Sequence, residues 1–319
     1  LRVCVVWSWP YDTGMSSIRA KAVRAVTGAW FKTVNAEKAN VQRVRGIWHF
    51  LARALWTATG VDVRREIVAG LTSEWLTPQA PASGKVILYL HGGAYIMGNF
   101  ATHRQLVSYI ARACGVRTLL PEYRLAPEHP FPAAVEDALS LYRALRDDGY
   151  APGDILFAGD SAGGGLTMAL LLSLRDAGEP MPAGAVLFSP WLDLTGSGES
   201  MRTHAHRDPW FNPDELSVMA KYYCKEFEFE HPLVSPVFAD VTGLPPIYIQ
   251  VGEDEILLSD STRIAEKIEQ AGGDVNLEIW PGMWHVFQVF VHQMPESGKA
   301  IRKIAPFVRE KLGLGALEA

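Results

Sequence analysis

The chain has 319 residues, of which 48% are hydrophobic and 20% are charged, with 28 glycines and 20 prolines. This composition supports a large buried core and excludes disordered, collagen-like and coiled-coil proteins. Thirty Lys and Arg against 35 Asp and Glu give a formal net charge of −5, so the chain lacks the basic footprint of a nucleic-acid-binding protein.

The cysteines and the apolar runs bear on location. Cys4, Cys114 and Cys224 are an odd number without CxxC spacing, which predicts neither a disulfide framework nor a thiolate zinc site. No apolar run approaches the roughly 20 residues that cross a bilayer. Because Leu1 to Pro10 is followed by no small-residue cleavage site, we expect no secretion signal. These observations predict a cytoplasmic protein without stable membrane insertion.

Hydrophobic periodicity predicts the elements in chain order. Apolar residues recur at steps of three and four from Ser16 to about Thr59, which predicts helices, and alternate over 61–68 and 71–77, which predicts an antiparallel entry into a sheet. Short apolar or alternating runs predict strands at 85–90, 116–120, 155–158, 185–188, 247–251 and 275–279. Helical patterns lie at 102–114, 133–147, 162–177, 260–271 and 296–312. This alternation predicts an α/β fold with a mostly parallel sheet flanked by helices.

About 50 residues between Pro190 and Pro245 interrupt the alternation. They contain no convincing strand, but Asn212-Pro213-Asp214-Glu215 is a helix-start signature. An insertion there follows a strand and would sit at the carboxyl edge of the sheet, where ligands bind in open α/β folds. We therefore predict a helical cap formed by residues 1–60 and 196–235, over a catalytic domain formed by residues 61–195 and 236–319.

A nucleophile motif follows one buried strand. Gly159-Asp160-Ser161-Ala162-Gly163 is G-x-S-x-G, placed directly after the strand pattern and directly before a helical one. A tight strand-to-helix turn of this kind exposes the serine and places developing negative charge at a helix N-terminus. The context predicts that Ser161 is a catalytic nucleophile.

A glycine pair after an earlier strand predicts an oxyanion hole. His91-Gly92-Gly93-Ala94 follows the strand pattern at 85–90, and backbone N–H groups of such a loop stabilise a developing oxyanion. We predict that Gly92, Gly93 and Ala162 donate. Ala94 stands where a third glycine is usual, which is acceptable if it donates no hydrogen bond and needs no positive φ.

The base and the acid should follow in the chain order Ser, acid, His. His285 lies just after the last strand pattern and is the best base, with His292 as its rival. His204 and His206 could suggest metal ligands, but no second ligand cluster accompanies them, so we predict no metal. The acid lies in Glu253-Asp254-Glu255, and spacing alone does not choose among these three carboxylates.

Four motifs follow one another along the chain: HGGAYIMG (91–98), EYRLAPEHPFPAAVED (122–137), GDSAGGGL (159–166) and GMWHVF (282–287). Together they closely resemble those of the bacterial hormone-sensitive-lipase-like esterases, the GDSAG branch of the α/β-hydrolases. The resemblance runs from about Val86 to the end of the chain and implies a cofactor-free serine esterase with a two-segment helical cap. In the family motif D-x-L-x-D the acid precedes a Leu by two residues; Glu255 matches that register before Leu257, which makes Asp254 the second choice.

The resulting hypothesis is a carboxylic ester hydrolase that forms an acyl-enzyme. The resemblance implies a small-molecule ester with a short to medium acyl chain. Tyr95, Trp191, Trp210 and Phe211 are predicted to line the substrate pocket, with core packing as the alternative for each. Two rival functions are an aryl-amide or formamide hydrolase on the same triad and a non-catalytic small-molecule receptor on this scaffold. The sequence is compatible with a homodimer.

Overall fold

The computed structural model describes residues 16–31, 41–52, 55–224 and 229–316. Its centre is one eight-stranded sheet with the strand order β1-β2-β4-β3-β5-β6-β7-β8. β1 pairs antiparallel with β2, β2 pairs antiparallel with β4, and every later pairing is parallel. The strands are β1 (Val61–Val68), β2 (Leu71–Pro78), β3 (Val86–Leu90), β4 (Arg117–Pro121), β5 (Ile155–Asp160), β6 (Gly184–Phe188), β7 (Ile247–Gly252) and β8 (Val275–Trp280).

Helices cover both faces of the sheet. The central strands have apolar side chains on both faces, because helices bury both, and β3 and β6 are buried along their whole length. One face packs against α3 and α9, and the other packs against α4, α5 and α8. The described helices are α1 (Ile18–Phe31), α2 (Val41–Ala52), α3 (Phe100–Cys114), α4 (Ala133–Asp147), α5 (Ala162–Asp176), α6 (Glu199–Thr203), α7 (Pro213–Tyr223), α8 (Leu258–Gln270) and α9 (Pro295–Lys311).

The predicted α/β class and its antiparallel entry are confirmed, and the predicted elements after residue 60 differ from the observed ones by one or two residues at most ends. The helix start at Asn212 is also confirmed, since its side chain accepts a hydrogen bond from the backbone N–H of Glu215 and caps α7. Leu1 to Pro10, where no secretion signal was predicted, lies outside the described residues. Among the described helices none is long and apolar enough to span a membrane.

The two segments predicted to form a cap contact each other above the carboxyl edge of the sheet. The Trp48 ring of α2 stacks on Trp210 with centroids 5.8 Å apart, and Gly28 of α1 lies against Pro209. The exact division into cap 1–60 and 196–235 stays a prediction. What the fold establishes is that helices from both segments lie close to the carboxyl ends of β5, β6 and β7.

Candidate active site

Ser161 occupies a strained turn between β5 and α5. Its φ of 52° is rare for a residue with a side chain. Glycine is required on both sides because a Cβ on Gly159 would lie 2.4 Å from the carbonyl oxygen of Gly163, and one on Gly163 would lie 2.0 Å from that of Leu90. The turn therefore lifts the serine hydroxyl out of the buried strand and leaves it partly exposed.

A chain of hydrogen bonds joins Ser161 to a buried imidazole and a buried carboxylate. His285 Nε2 lies 2.9 Å from Ser161 Oγ, and His285 Nδ1 lies 2.8 Å from Glu255 Oε2. The other carboxylate oxygen, Oε1, accepts hydrogen bonds from the Ser189 hydroxyl at 2.8 Å and from the Gly252 N–H. Glu255 is fully buried, so these donors offset the cost of removing its charge from water.

Asp254 points away from the imidazole. Arg24 of α1 reaches its Oδ2 at 2.5 Å, and Arg207 from the second predicted cap segment reaches its Oδ1. The Asp254 N–H donates to the carbonyl of Met283, two residues before His285. In this arrangement the register Glu255-x-Leu257, and not Asp254, brings a carboxylate to the imidazole.

Two residues at the site were missed in the sequence. The Ser189 hydroxyl bridges Glu255 and the Val286 N–H, to which its oxygen lies 3.0 Å away. Asp208 accepts hydrogen bonds from the Ile256 N–H at 3.1 Å and the Trp210 N–H at 2.8 Å, so it ties the cap segment to the acid loop. Ser189 was discoverable as a polar residue at the carboxyl end of β6, whereas no local pattern marks Asp208.

Burial and charge shift two pKa values at the site. Burial alone would lower the pKa of His285, but the hydrogen bond and negative charge of Glu255, together with the negative charges of Asp208 and Asp160, outweigh it and raise that pKa above its ordinary 6.5. Burial of the Asp208 carboxyl raises its pKa to about 6, although the positive charge of a protonated His285 opposes this shift. Burial disfavours the protonated form of His285, and the Glu255 carboxylate stabilises that form.

Gly92 does not serve as predicted. Its N–H donates to the Asp160 carboxylate at 3.0 Å, and Tyr89 donates to the same oxygen at 2.8 Å. Burial would raise the pKa of Asp160, but His103, Tyr89 and the Gly92 N–H outweigh it and lower that pKa. An ionised acceptor therefore holds the Gly92 amide, which is turned into the protein, and the assignment of Gly92 as an oxyanion donor was wrong.

The next two amides of the loop are available instead. Within the described part of the chain the N–H groups of Gly93 and Ala94 have no protein acceptor, and the N–H of Ala162 begins α5, where no intrahelical acceptor exists. Ala94 has a φ of 53°, so the condition under which alanine was acceptable here, that the position needs no positive φ, is not met. Gly93 and Ala94 both line the cavity that contains Ser161.

A cavity of about 300 Å³ begins at Ser161 and His285. Trp210 and Phe211 line it, and their rings lie 6.3 and 5.5 Å from the His285 ring. The cavity passes between both predicted cap segments, α3 and the turn at Phe287–Phe290. Its further walls are mainly apolar and include Val26, Trp48, Ala52, Leu55, Met97, Leu106, Val289 and Phe290.

Tyr95 and Trp191 are core residues and not part of this cavity. Tyr95 is 1% exposed and stacks on Tyr223 with ring centroids 3.7 Å apart. Trp191 is also 1% exposed, and its indole N–H donates to the Asp193 carbonyl at 3.2 Å. Their prediction as substrate-pocket residues was wrong because both side chains pack beneath the serine turn.

The remaining histidine alternatives find other surroundings. His292, the rival base, lies beside Tyr109, whose hydroxyl is 3.0 Å from its Nε2. His204 contacts Thr203 and Arg207 on the surface. Across the part of the chain that the structure describes, no group of three His, Cys, Asp or Glu side chains is arranged to hold a metal ion.

The fold and the serine turn define a serine hydrolase of the α/β-hydrolase class, and comparison with known proteins supports this independently. Residues 87–289 match the family described as having the alpha/beta hydrolase fold. The chain is 44% identical to an acetyl-hydrolase of Streptomyces hygroscopicus over 248 residues, which cover 78% of this chain and 83% of that protein. It is 40% identical to an esterase of Acinetobacter venetianus over 77% of this chain and 82% of that protein.

Solved structures narrow the family. An esterase from the bacterial hormone-sensitive lipase family is 39% identical, with a TM-score of 0.89, and the match covers 94% of this chain and all of that one. An esterase/lipase from an uncultured bacterium is 40% identical, with a TM-score of 0.86, over 93% of this chain and all of that one. The chain belongs to the bacterial hormone-sensitive-lipase family and is a carboxylesterase-type serine hydrolase.

Proposed function

We propose that Ser161, His285 and Glu255 form the catalytic triad of an ester hydrolase. Ser161 Oγ attacks the ester carbonyl carbon while His285 Nε2 takes the hydroxyl proton and then gives it to the leaving alcohol. Water hydrolyses the resulting acyl-enzyme by the same two steps. The observation that carries this proposal is the continuous hydrogen-bond chain of 2.9 and 2.8 Å, which ends at the mouth of an apolar cavity.

Glu255 acts on the imidazole and not on the substrate. By accepting from Nδ1–H it fixes the tautomer with a free Nε2, and its charge stabilises the imidazolium that forms during attack. The oxyanion is bound by the N–H groups of Gly93, Ala94 and Ala162. This assignment replaces the predicted Gly92 with Ala94 and keeps the predicted Gly93 and Ala162.

The size and lining of the cavity support the proposal that the substrates are esters with short to medium acyl chains. Its volume of about 300 Å³ and its mainly apolar walls accommodate an apolar acyl group of short or medium length. Trp210 and Phe211 contact the His285 ring and would limit the space beside the reacting carbonyl. We also propose that residues 1–60 and 196–235 act as the cap. We propose in addition that the protein is cytoplasmic, and cell fractionation tests this location.

Hydrolysis of p-nitrophenyl esters of graded acyl length tests the proposed function. We expect kcat/KM to peak at short or medium chains in the wild type. Ser161→Ala should lose activity by about 10⁴- to 10⁶-fold because no nucleophile remains. The matched control is Ser173→Ala, at a half-buried position in the C-terminal part of α5, and it should retain activity.

Two further arms separate the alternatives. Turnover of an anilide matched to the best ester decides between ester and amide hydrolysis, and a higher kcat/KM on the anilide would reject the ester assignment. An organophosphate that labels a peptide without Ser161 would reject the nucleophile. A protein that binds the esters without turnover would be a receptor and not an enzyme.

A further inference from the structure

Charge is unevenly distributed along the chain. Residues 1–60 contain nine Lys and Arg but only two Asp and Glu, whereas residues 61–319 contain 21 Lys and Arg against 33 Asp and Glu. Neither α1 nor α2 contains an acidic residue. The amino-acid sequence is therefore asymmetric in charge, with a strongly basic N-terminal segment and an acidic remainder.

Exposed apolar side chains concentrate in the same segment. The structure describes seven large hydrophobic residues as exposed, and five of them lie between residues 18 and 56. Small apolar residues extend the surface along α1, since Ala22, Ala25 and Ala29 are exposed at helical spacing from Ile18. The five residues are Ile18 (86% exposed), Val26 (72%), Phe50 (68%), Leu55 (37%) and Trp56 (68%); we call them the cap apolar face.

Exposed cations flank this cap apolar face. Arg19 and Lys21 stand on either side of the Ile18–Ala25 stripe of α1, and Arg43 is exposed on α2. Arg24 and Arg45 instead pair inward with Asp254 and Glu128. An apolar stripe bordered by Lys and Arg is the pattern of helices that lie in the plane of a lipid–water interface.

Two of the five residues of the cap apolar face also line the catalytic cavity. Val26 and Leu55 are both exposed and line the cavity that begins at Ser161. Apolar side chains therefore lie both on the surface and in the mainly apolar cavity that these two residues connect. A surface patch of this kind beside a cavity marks an interaction site and not random exposure.

We propose that the cap apolar face docks on an anionic lipid surface, with the cavity mouth towards the lipid. The apolar side chains enter the acyl boundary, and Arg19, Lys21 and Arg43 contact the lipid phosphates. The acidic remainder is repelled by the same surface, which selects this single orientation. The inference goes beyond ester hydrolysis, and its readout is binding rather than turnover.

Sedimentation with vesicles of ether-linked phospholipids tests the docking, because these lipids contain no ester bond to hydrolyse. We expect the full chain to bind phosphatidylcholine vesicles that contain about one part in three phosphatidylglycerol, and to bind pure phosphatidylcholine far more weakly. Neutralising Arg19, Lys21 and Arg43 together to Gln should weaken binding about a hundredfold, or about fivefold per charge. High salt should produce a similar loss.

The apolar contribution is tested by Ile18→Ser, Phe50→Ser and Trp56→Ser combined, since none of these side chains lines the cavity. Their control is Val63→Ser with Ile67→Ser, the two exposed apolar residues of β1. The cap variant should lose vesicle binding and keep its turnover of soluble esters, and the β1 variant should keep both.

Three results would overturn the proposal. The first is equal binding to neutral and anionic vesicles, and the second is binding that the β1 variant loses and the cap variant keeps. The third is a wild-type dimer in sedimentation velocity that becomes monomeric in the cap variant, which would make this surface an interface between two copies of the chain.

Discussion

Adjacent acids at 254 and 255 face different partners, and this difference decides their roles. The Glu255 carboxylate contacts the imidazole of His285 and is fully buried, whereas the Asp254 carboxylate contacts two guanidinium groups. The side chain of Glu255 is one methylene longer than that of Asp254. Its carboxylate reaches the imidazole of His285. A carboxylate that accepts from Nδ1–H holds the tautomer whose Nε2 can accept a proton, and Glu255 is the acid of this pair that reaches Nδ1.

Glu255→Gln should therefore lower kcat by about 10⁴-fold with little change in KM, because the amide keeps the size and loses the charge that stabilises the imidazolium. Asp254→Asn should stay within about tenfold of the wild type. Steady-state kinetics on one p-nitrophenyl ester checks both variants. If Asp254→Asn loses activity severely while Glu255→Gln stays nearly normal, the triad acid is Asp254 and the assignment of Glu255 is wrong.

The raised pKa of His285 fixes the sign of the pH dependence. Hydrolysis requires neutral imidazole, so kcat/KM should fall as pH drops through the pKa of His285, which lies above its ordinary 6.5. Removing the charge in Glu255→Gln takes away the main cause of the upward shift, so the midpoint of its residual activity should move to lower pH. A pH profile of both proteins provides the measurement. If the midpoint does not move, the Glu255 carboxylate does not set the pKa of His285.

At the scale of elements, the loop 91–98 is set by its fit against the serine turn. A Cβ on Gly92 would lie 2.2 Å from Asp160 Oδ2, and one on Gly93 would lie 2.2 Å from the Met97 carbonyl oxygen. Tyr123 also donates to the His91 carbonyl at 2.6 Å. The loop is thus wedged in place before substrate arrives, which is what an oxyanion hole requires.

Gly93→Ala should lower kcat by about 10²- to 10³-fold, because the φ of 120° at this position and the close Met97 carbonyl force the donor N–H to move. Active-site titration with an organophosphate and a thermal melt should show a folded protein with a reactive serine. Ala94→Ser, which keeps the backbone N–H, is the milder control. If Gly93→Ala retains full kcat, its amide is not a donor.

Arg24 and Arg207 join both predicted cap segments to Asp254. Arg24→Gln or Arg207→Gln should raise KM by up to about fivefold and leave the pH midpoint unchanged, since partly exposed ion pairs contribute little individually. High salt screens these ion pairs, so the KM of the wild type should rise towards that of the two variants. Arg19→Gln, on an exposed position of the same helix, is the control for soluble esters. A shift of the pH midpoint in either variant would instead place these arginines in the proton transfer.

The elements were predictable because their signals are local, and the site was predictable only where its signals are local too. Helix and strand periods, the serine turn and the helix cap at Asn212 are each determined within a few residues. Whether Gly92 points inward depends on Asp160, which is 68 residues away. The burial of Tyr95 depends on Tyr223, and the contact of Asp208 with the acid loop spans 48 residues. Such pairings are decided by the fold and leave no pattern in the neighbouring sequence.

For the whole molecule, burial distinguishes the central strands from the two N-terminal helices α1 and α2. β3, β5, β6 and β7 are buried along their full length, whereas α1 buries only Ala20 and Thr27 among its described side chains. Local opening free energies follow buried contacts, so the N-terminal helices should open without unfolding the sheet. The cavity lies between these two parts, and α1 and α2 both contribute to its walls.

Hydrogen exchange should resolve this division. Amides of α1 and α2 should exchange by local opening, far faster than those of the central strands, which exchange through global unfolding. A trifluoromethyl ketone that adds to Ser161 fills the cavity and contacts both parts, so at about a hundredfold excess over its Kd it should slow exchange in α1 and α2 about a hundredfold. Ser161→Ala cannot form the adduct and should show no such slowing. Exchange in α1 and α2 that is already as slow as in the strands, or that the ketone leaves unchanged, would contradict a cap that opens independently of the sheet and closes over the substrate.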